Sequence, residues 1–127
     1  FDKAMEVGYD SDHGSLFYGF SPSGEICSNG KYSWVVAETI AASALLAKQL
    51  NNNMYWCIYR QMWQYSWTYM VDHKLKCWHR NITFDNKIIA ASSIAMGRTD
   101  YHSICGCLEV IKSLQQASVS SGVASSQ

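Results

Sequence analysis

Between positions 33 and 50 the chain has almost no polar side. Val35, Val36, Ile40, Ala41, Ala42, Leu45 and Leu46 point all round a 3.6-residue turn, a pattern that predicts a helix buried on every face. The next run, 54–71, alternates differently. Arg60, Gln61, Gln64 and Thr68 form a polar stripe, and Trp56, Tyr59, Trp63, Trp67 and Met70 lie opposite, which predicts an amphipathic helix with one wet face. Aromatics at that spacing are read as core rather than as a sugar-stacking platform. An inner helix followed by an outer one makes a helical hairpin unit.

Short polar and aromatic segments precede each such unit. Residues 1–9 read as the end of a helix. Asp10-Ser11-Asp12-His13-Gly14 is a polar turn, Leu16 to Phe20 a short aromatic strand, and Ser21-Pro22-Ser23-Gly24 a turn returning through Glu25-Ile26-Cys27. The pattern then recurs. Asp72 to Lys76 is a second turn, 77–83 a second strand and Asp85 to Ile88 a second return. Shifted by sixty-two positions, Asp10 falls on Asp72, Leu16 on Trp78, Gly24 on Asn86 and Ile26 on Ile88. Beyond the hairpins the shift grows to sixty-eight, so that Trp34 meets His102, Val36 meets Ile104 and Leu46 meets Leu114, while Lys31 approaches Arg98. The unit is therefore hairpin, glycine-plus-cation loop, inner helix and outer helix, with a second inner helix predicted over 101–114. Residues 115–127 are serine-rich and are expected to be a disordered tail.

Composition narrows the function classes. With 127 residues and 48% hydrophobic content the chain can bury a core, so residues 1–114 are read as one folded domain. Ten basic and ten acidic residues cancel, leaving no basic field for a phosphate backbone, and nucleic acid is not an expected partner. No run is long enough for a membrane span. Five scattered cysteines without a C-x-x-C pair argue against a disulfide framework and for a reducing, cytoplasmic setting. His102-x-x-Cys105-x-Cys107 lacks an evident fourth ligand, and no metal site is expected. Because the chain opens on Phe1 and its first helix has no beginning, it is read as part of something longer or as a processed product.

Candidate chemistry gathers in Gly97-Arg98-Thr99-Asp100-Tyr101-His102. Asp100 is a suitable N-cap for the helix at 101, and His102 would sit in its first turn. The positive helix end disfavours an imidazolium there while Asp100 favours it, a balance that suits a proton-transferring base. In the first inner helix, Glu38 lies one turn after Trp34 on the stripe that continues through Ala41 and Leu45. A carboxylate in so apolar a helix must be paired or face a polar cavity. The repeat places Trp34 and His102 at equivalent helix mouths, aimed at one hollow.

Taken together, Trp34, Ala37-Glu38, the Trp63-x-Tyr65-x-Trp67 run, Trp78, Asp85-Asn86 and the Gly97 to His102 run resemble the N-acylglucosamine 2-epimerase superfamily. The likeness is closest to its aldose–ketose isomerase branch, which includes mannose isomerase and sulfoquinovose isomerase. It implies an all-α fold, an α/α toroid of six helical hairpins with short β-hairpins between them, of which residues 1–114 would be the carboxy-terminal portion. It also implies cofactor-free proton transfer beside a sugar carbonyl, with His102 as a catalytic histidine. Trp34, Glu38, Arg98 and Asp100 would bind a monosaccharide substrate. The chain departs from the family pattern at Cys77, His79 and Arg98. The amino-terminal half, with a second histidine, would lie elsewhere. Two other readings are a glycoside hydrolase using Glu38 and Asp100 as its carboxylate pair, and a non-catalytic sugar-binding or interaction fragment prone to self-association.

Overall fold

The computed structural model describes residues 1–89 and 101–122, with side chains of the last helix as far as residue 115. Four helices carry the fold: α1 (Asp2–Gly8), α2 (Ser33–Gln49), α3 (Asn53–Tyr65) and α4 (Tyr101–Gly122). Six two- or three-residue strands pair antiparallel at their ends: β1 (Gly19–Phe20) with β2 (Ile26–Ser28), β3 (Lys31–Tyr32) with β6 (Asn81–Ile82), and β4 (Val71–Asp72) with β5 (Cys77–Trp78). No helix among the described residues is long and apolar enough to cross a membrane.

Helix α2 is the centre of the packing, with α3 against one side and α4 against another. Val36, Ala37, Ile40, Ser43, Ala44 and Ala47 are buried, but Trp34, Glu38 and Leu45 are exposed. The expectation of burial all round is corrected: one stripe stays open, and it is the stripe that carries the candidate residues. Ser33 ties the helix start to the second unit, since its N–H and its hydroxyl both donate to Arg80 O, at 2.9 and 3.0 Å. Asn52 opens α3 as its N-cap, accepting from Met54 N–H at 2.9 Å.

The buried face of α3 is Tyr55, Met62 and Tyr65, with Ile58 and Tyr59 packed beside them. Trp63 and Trp67 are exposed, against the reading that put both in the core. Spacing alone could not choose between an aromatic stripe and the Tyr-Met stripe beside it, because both recur at three or four residues. A π-helical turn, Ser66–Met70, then brings Met70 to complete burial and leaves Trp67 stacked edge-on against His73, ring centres 4.8 Å apart.

The internal repeat is reproduced hydrogen bond for hydrogen bond. Asp10 Oδ1 accepts from the amides of Asp12 and His13, and Asp72 Oδ1 accepts from those of Lys74 and Leu75. Phe17 N–H donates to Gly8 O, and His79 N–H to Met70 O. Gly24 and Asn86 share a left-handed backbone (φ 90° and 63°), as do Gly14 and Lys76 (78° and 54°). Phe20 pairs with Ile26, and Ile82 bridges to Ile88. The second strand, however, is not continuous over 77–83. It breaks at His79 and Arg80, because Trp78 pairs back onto Val71 while Asn81–Ile82 pairs with β3 of the first unit.

At the other end, the last helix runs to Gly122, so residues 115–122 of the expected tail are helical and 123–127 lie outside the described residues. Gln115, Gln116 and Ala117 are good helix formers, and extending a formed helix costs far less than starting one.

Beneath the hairpins lies a buried ion pair of the first unit, to which Asn86 of the second unit is hydrogen-bonded. Lys31 is 0% exposed and Asp10 5%, with Lys31 Nζ 2.8 Å from Asp10 Oδ2. Lys31 also donates to Asn86 Oδ1 at 3.3 Å, and its ammonium sits 5.6 Å from the centre of the Tyr65 ring. Tyr65 OH donates to the same Asn86 oxygen at 2.6 Å, and Asn86 Nδ2 donates to His13 O at 2.8 Å. Burial pushes the Tyr65 phenol well above its ordinary range and pulls the Lys31 ammonium below its own, Asp10 restoring only part of the latter.

Burial also works against the Asp10 carboxylate, but the Lys31 contact and the two turn amides outweigh it and hold Asp10 below the usual value. Asp72 is lowered first by the Leu75 amide, and Asp85 is brought down to about 2 by Lys87 and then by the Thr83 hydroxyl. Depressed carboxylates bind fewer protons folded than unfolded. Their contribution is therefore whole above about pH 4 and is lost as pH falls through the folded values. The urea midpoint should hold between pH 6 and 5 and drop progressively from 4 to 2, and Asp10→Asn should flatten the upper part of that drop. A midpoint insensitive to pH over this range would contradict the assignment.

Candidate functional site

Trp34 occupies the first turn of α2, Glu38 the next turn on the same stripe, and His102 the first turn of α4. Packing of α4 on α2 brings the three together. His102 Nδ1 lies 2.7 Å from Glu38 Oε1, and the imidazole and the Trp34 ring sit 5.8 Å apart between centres, tilted by 41°. The side chains of His102 and Glu38 are 48% and 54% exposed, and Trp34 is 40% exposed, so a ligand can reach all three. Residues sixty-four apart in sequence are thus brought into contact by the packing of α4 on α2.

A carboxylate can only accept a hydrogen bond, so in the neutral ring the contact puts the proton on Nδ1 and leaves the Nε2 lone pair available. That is the arrangement of a base whose orientation is fixed by a carboxylate partner. Beside it, Trp34 offers an exposed aromatic face.

Aromatics extend the wall further than sequence reasoning took it. Tyr18 lies edge-on to Trp34, centres 6.0 Å apart, and packs on Tyr32 at 4.4 Å, while Tyr101 lies 5.3 Å from His102. In the sequence Tyr18 reads only as part of an aromatic strand, and Tyr32 falls between the loop cation and the helix with no signal of its own. Nothing local marked either as a neighbour of Trp34. Arg98 and Asp100, the other two expected binding residues, lie outside the described residues, and with them the cap of α4 and the carboxylate separation that the glycoside hydrolase reading requires. The first unit does show what its own loop cation does: Lys31 points into the protein, onto Asp10.

No disulfide joins any of the five cysteines, and burial raises the Cys107 thiol above its ordinary value. Among the described residues no three His, Cys, Asp or Glu side chains converge as metal ligands would.

Comparison with known proteins adds an independent line. A D-mannose isomerase from Marinomonas mediterranea is 38% identical over 114 residues, covering 90% of this chain and 29% of that protein. The crystal structure of a D-mannose isomerase superposes with a TM-score of 0.84 at 38% identity, over 88% of this chain and 29% of the other. A cellobiose 2-epimerase from Spirochaeta thermophila shares the fold at 16% identity, with a TM-score of 0.71 over 89% of this chain and 29% of that one. The chain therefore spans about three-tenths of the length of these relatives, and its helices are a segment of their α/α toroid rather than a closed ring. The family model described as N-acylglucosamine 2-epimerase matches residues 1–106, a stretch that holds Trp34, Glu38 and His102 together, and the chain belongs to that family.

Proposed function

We propose that the protein containing this chain interconverts an aldose and a ketose, mannose and fructose being the first pair to test, and that this segment supplies one wall of the sugar pocket and one of its proton-transferring groups. The single observation that carries the reading is the His102–Glu38 contact of 2.7 Å beside the exposed Trp34 ring. In the opened sugar, Nε2 of His102 takes the proton from carbon 2 of the aldose while the carbonyl oxygen at carbon 1 gains a proton from solvent or a neighbouring acid, giving an enediol. The proton held on His102 exchanges with solvent, and a proton is then delivered to carbon 1 as the carbon 2 hydroxyl gives up its own to become the ketose carbonyl. Glu38 keeps the imidazole oriented and supports the positive charge while the proton is held. Trp34 covers the apolar face of the sugar. No cofactor enters these steps. Because Lys31 is an internal counterion, Arg98, its counterpart in the repeat, is proposed first as a loop-holding residue and only second as a partner for developing oxyanion charge. Five cysteines without a disulfide fit a reducing, cytoplasmic setting.

The test is isomerisation of mannose in deuterium oxide by the intact protein. The expected product is fructose carrying solvent deuterium at carbon 1. Absence of both ketose formation and deuterium exchange, with mannose and with other aldoses alike, would overturn the reading.

A further inference from the structure

We infer that Gly106 is a positioning residue for the His102–Glu38 pair: by lacking a side chain it lets α4 lie against the backbone of α2, and that approach sets the reach from imidazole to carboxylate. The inference rests on the isomerase reading for its kinetic part and on geometry alone for its structural part. Gly106 is buried, and it heads the inward face of α4 that continues through Val110 and Ser113. A Cβ built there would stand 3.0 Å from Ala37 O, 3.5 Å from Ala37 C and 3.6 Å from Ala37 Cβ. The obstacle is a carbonyl within α2, held in the helix, and it cannot swing aside as a side-chain tip would.

Two features make this contact bear on the site. Gly106 lies one turn after His102 on the same side of α4, and Ala37 directly precedes Glu38 in α2. Any widening at this point separates the two helices where the pair spans them. Glycine also has no backbone reason to be here, because it sits inside a helix, and among the described residues the glycines in the left-handed region are Gly14 and Gly24. In a helix interior alanine is the better residue on propensity. What glycine supplies at 106 is closeness.

The experiment compares the intact protein with its Gly106→Ala and Gly106→Val variants, and with Leu108→Ala, an exposed position on the same helix, as control. Three quantities are read: kcat and KM for aldose–ketose isomerisation, the thermal midpoint, and the ring nitrogen resonances of 15N-labelled His102. In Gly106→Ala, kcat should fall roughly tenfold with KM changed less than about threefold, as expected when a catalytic group is misplaced by a fraction of an ångström. Its thermal midpoint should fall modestly, the better helix propensity of alanine offsetting part of the strain, and the hydrogen-bonded Nδ1–H signal should weaken or shift. Gly106→Val should extend each of these losses, and Leu108→Ala should show none. Unchanged kcat and an unchanged Nδ1–H signal in folded Gly106→Ala would overturn the inference. Should the wild-type protein prove not to isomerise sugars, the functional reading fails, and the Nδ1–H signal still decides the positioning role by itself.

Discussion

Replacing His102 with asparagine in the intact protein is expected to cut the isomerisation rate by roughly 10²- to 10⁴-fold, the usual contribution of a positioned acid–base group. Deuterium exchange into the sugar should fall with it. The side chain is 48% exposed and lies at the start of a helix, so the fold loses little: substitutions at such sites cost about 0.5 kcal/mol or less. Asparagine keeps a donor for the Glu38 carboxylate and removes only the group that can hold a second proton. A variant that is stable, binds sugar and no longer exchanges protons is the predicted outcome. Full deuterium wash-in by His102→Asn would remove this residue from the mechanism.

The second large effect concerns folding. Lys31→Met should destabilise the protein by about 3–5 kcal/mol, because it leaves the Asp10 carboxylate buried without its counterion. Asp10 is only 5% exposed and the amides of Asp12 and His13 satisfy one of its oxygens, so the other loses the Lys31 ammonium at 2.8 Å and keeps only the His13 ring, Nδ1 3.4 Å away. Asn86 would lose a donor at the same time. Replacing both partners, as Lys31→Met with Asp10→Leu, should recover part of the loss, since an apolar pair in place of a buried ion pair is often neutral. Recovery will be incomplete because the Asp10 turn amides then go unmatched. Denaturant midpoints for the two single variants and the double variant give the coupling directly. A cost below about 1 kcal/mol for Lys31→Met would show that water reaches Asp10 and that the pair is not a buried one.

Much of the architecture was legible because it is written twice. Aspartate opening each turn, a left-handed residue closing each return and an apolar residue at matching offsets are local signals, and the structure repeats them down to individual amide bonds. The repeat set Trp34 and His102 at equivalent first turns of α2 and α4, and the packing of those two helices brings both beside Glu38.

What stayed hidden was non-local. Lys31 reads as a loop cation, and nothing near it says that its partner is twenty-one residues upstream, beneath a turn. Cys77 to Thr83 has the composition of one strand, and only the competing claims of Val71 and Lys31 split it. On α3 two stripes were equally plausible by spacing, and tertiary packing chose the one with Tyr55, Met62 and Tyr65. The closeness of α2 and α4 at Gly106 is likewise a property of two helices at once, and a single glycine in an apolar run does not announce it.

The pairing of β3 with β6 has a wider meaning. It fastens the segment leading into Trp34 to the second hairpin through main-chain bonds, so register between consecutive units is held by atoms every residue possesses. Substitutions at the exposed hairpin tips should therefore leave the register of β3 on β6, and with it the path of the chain into Trp34, in place.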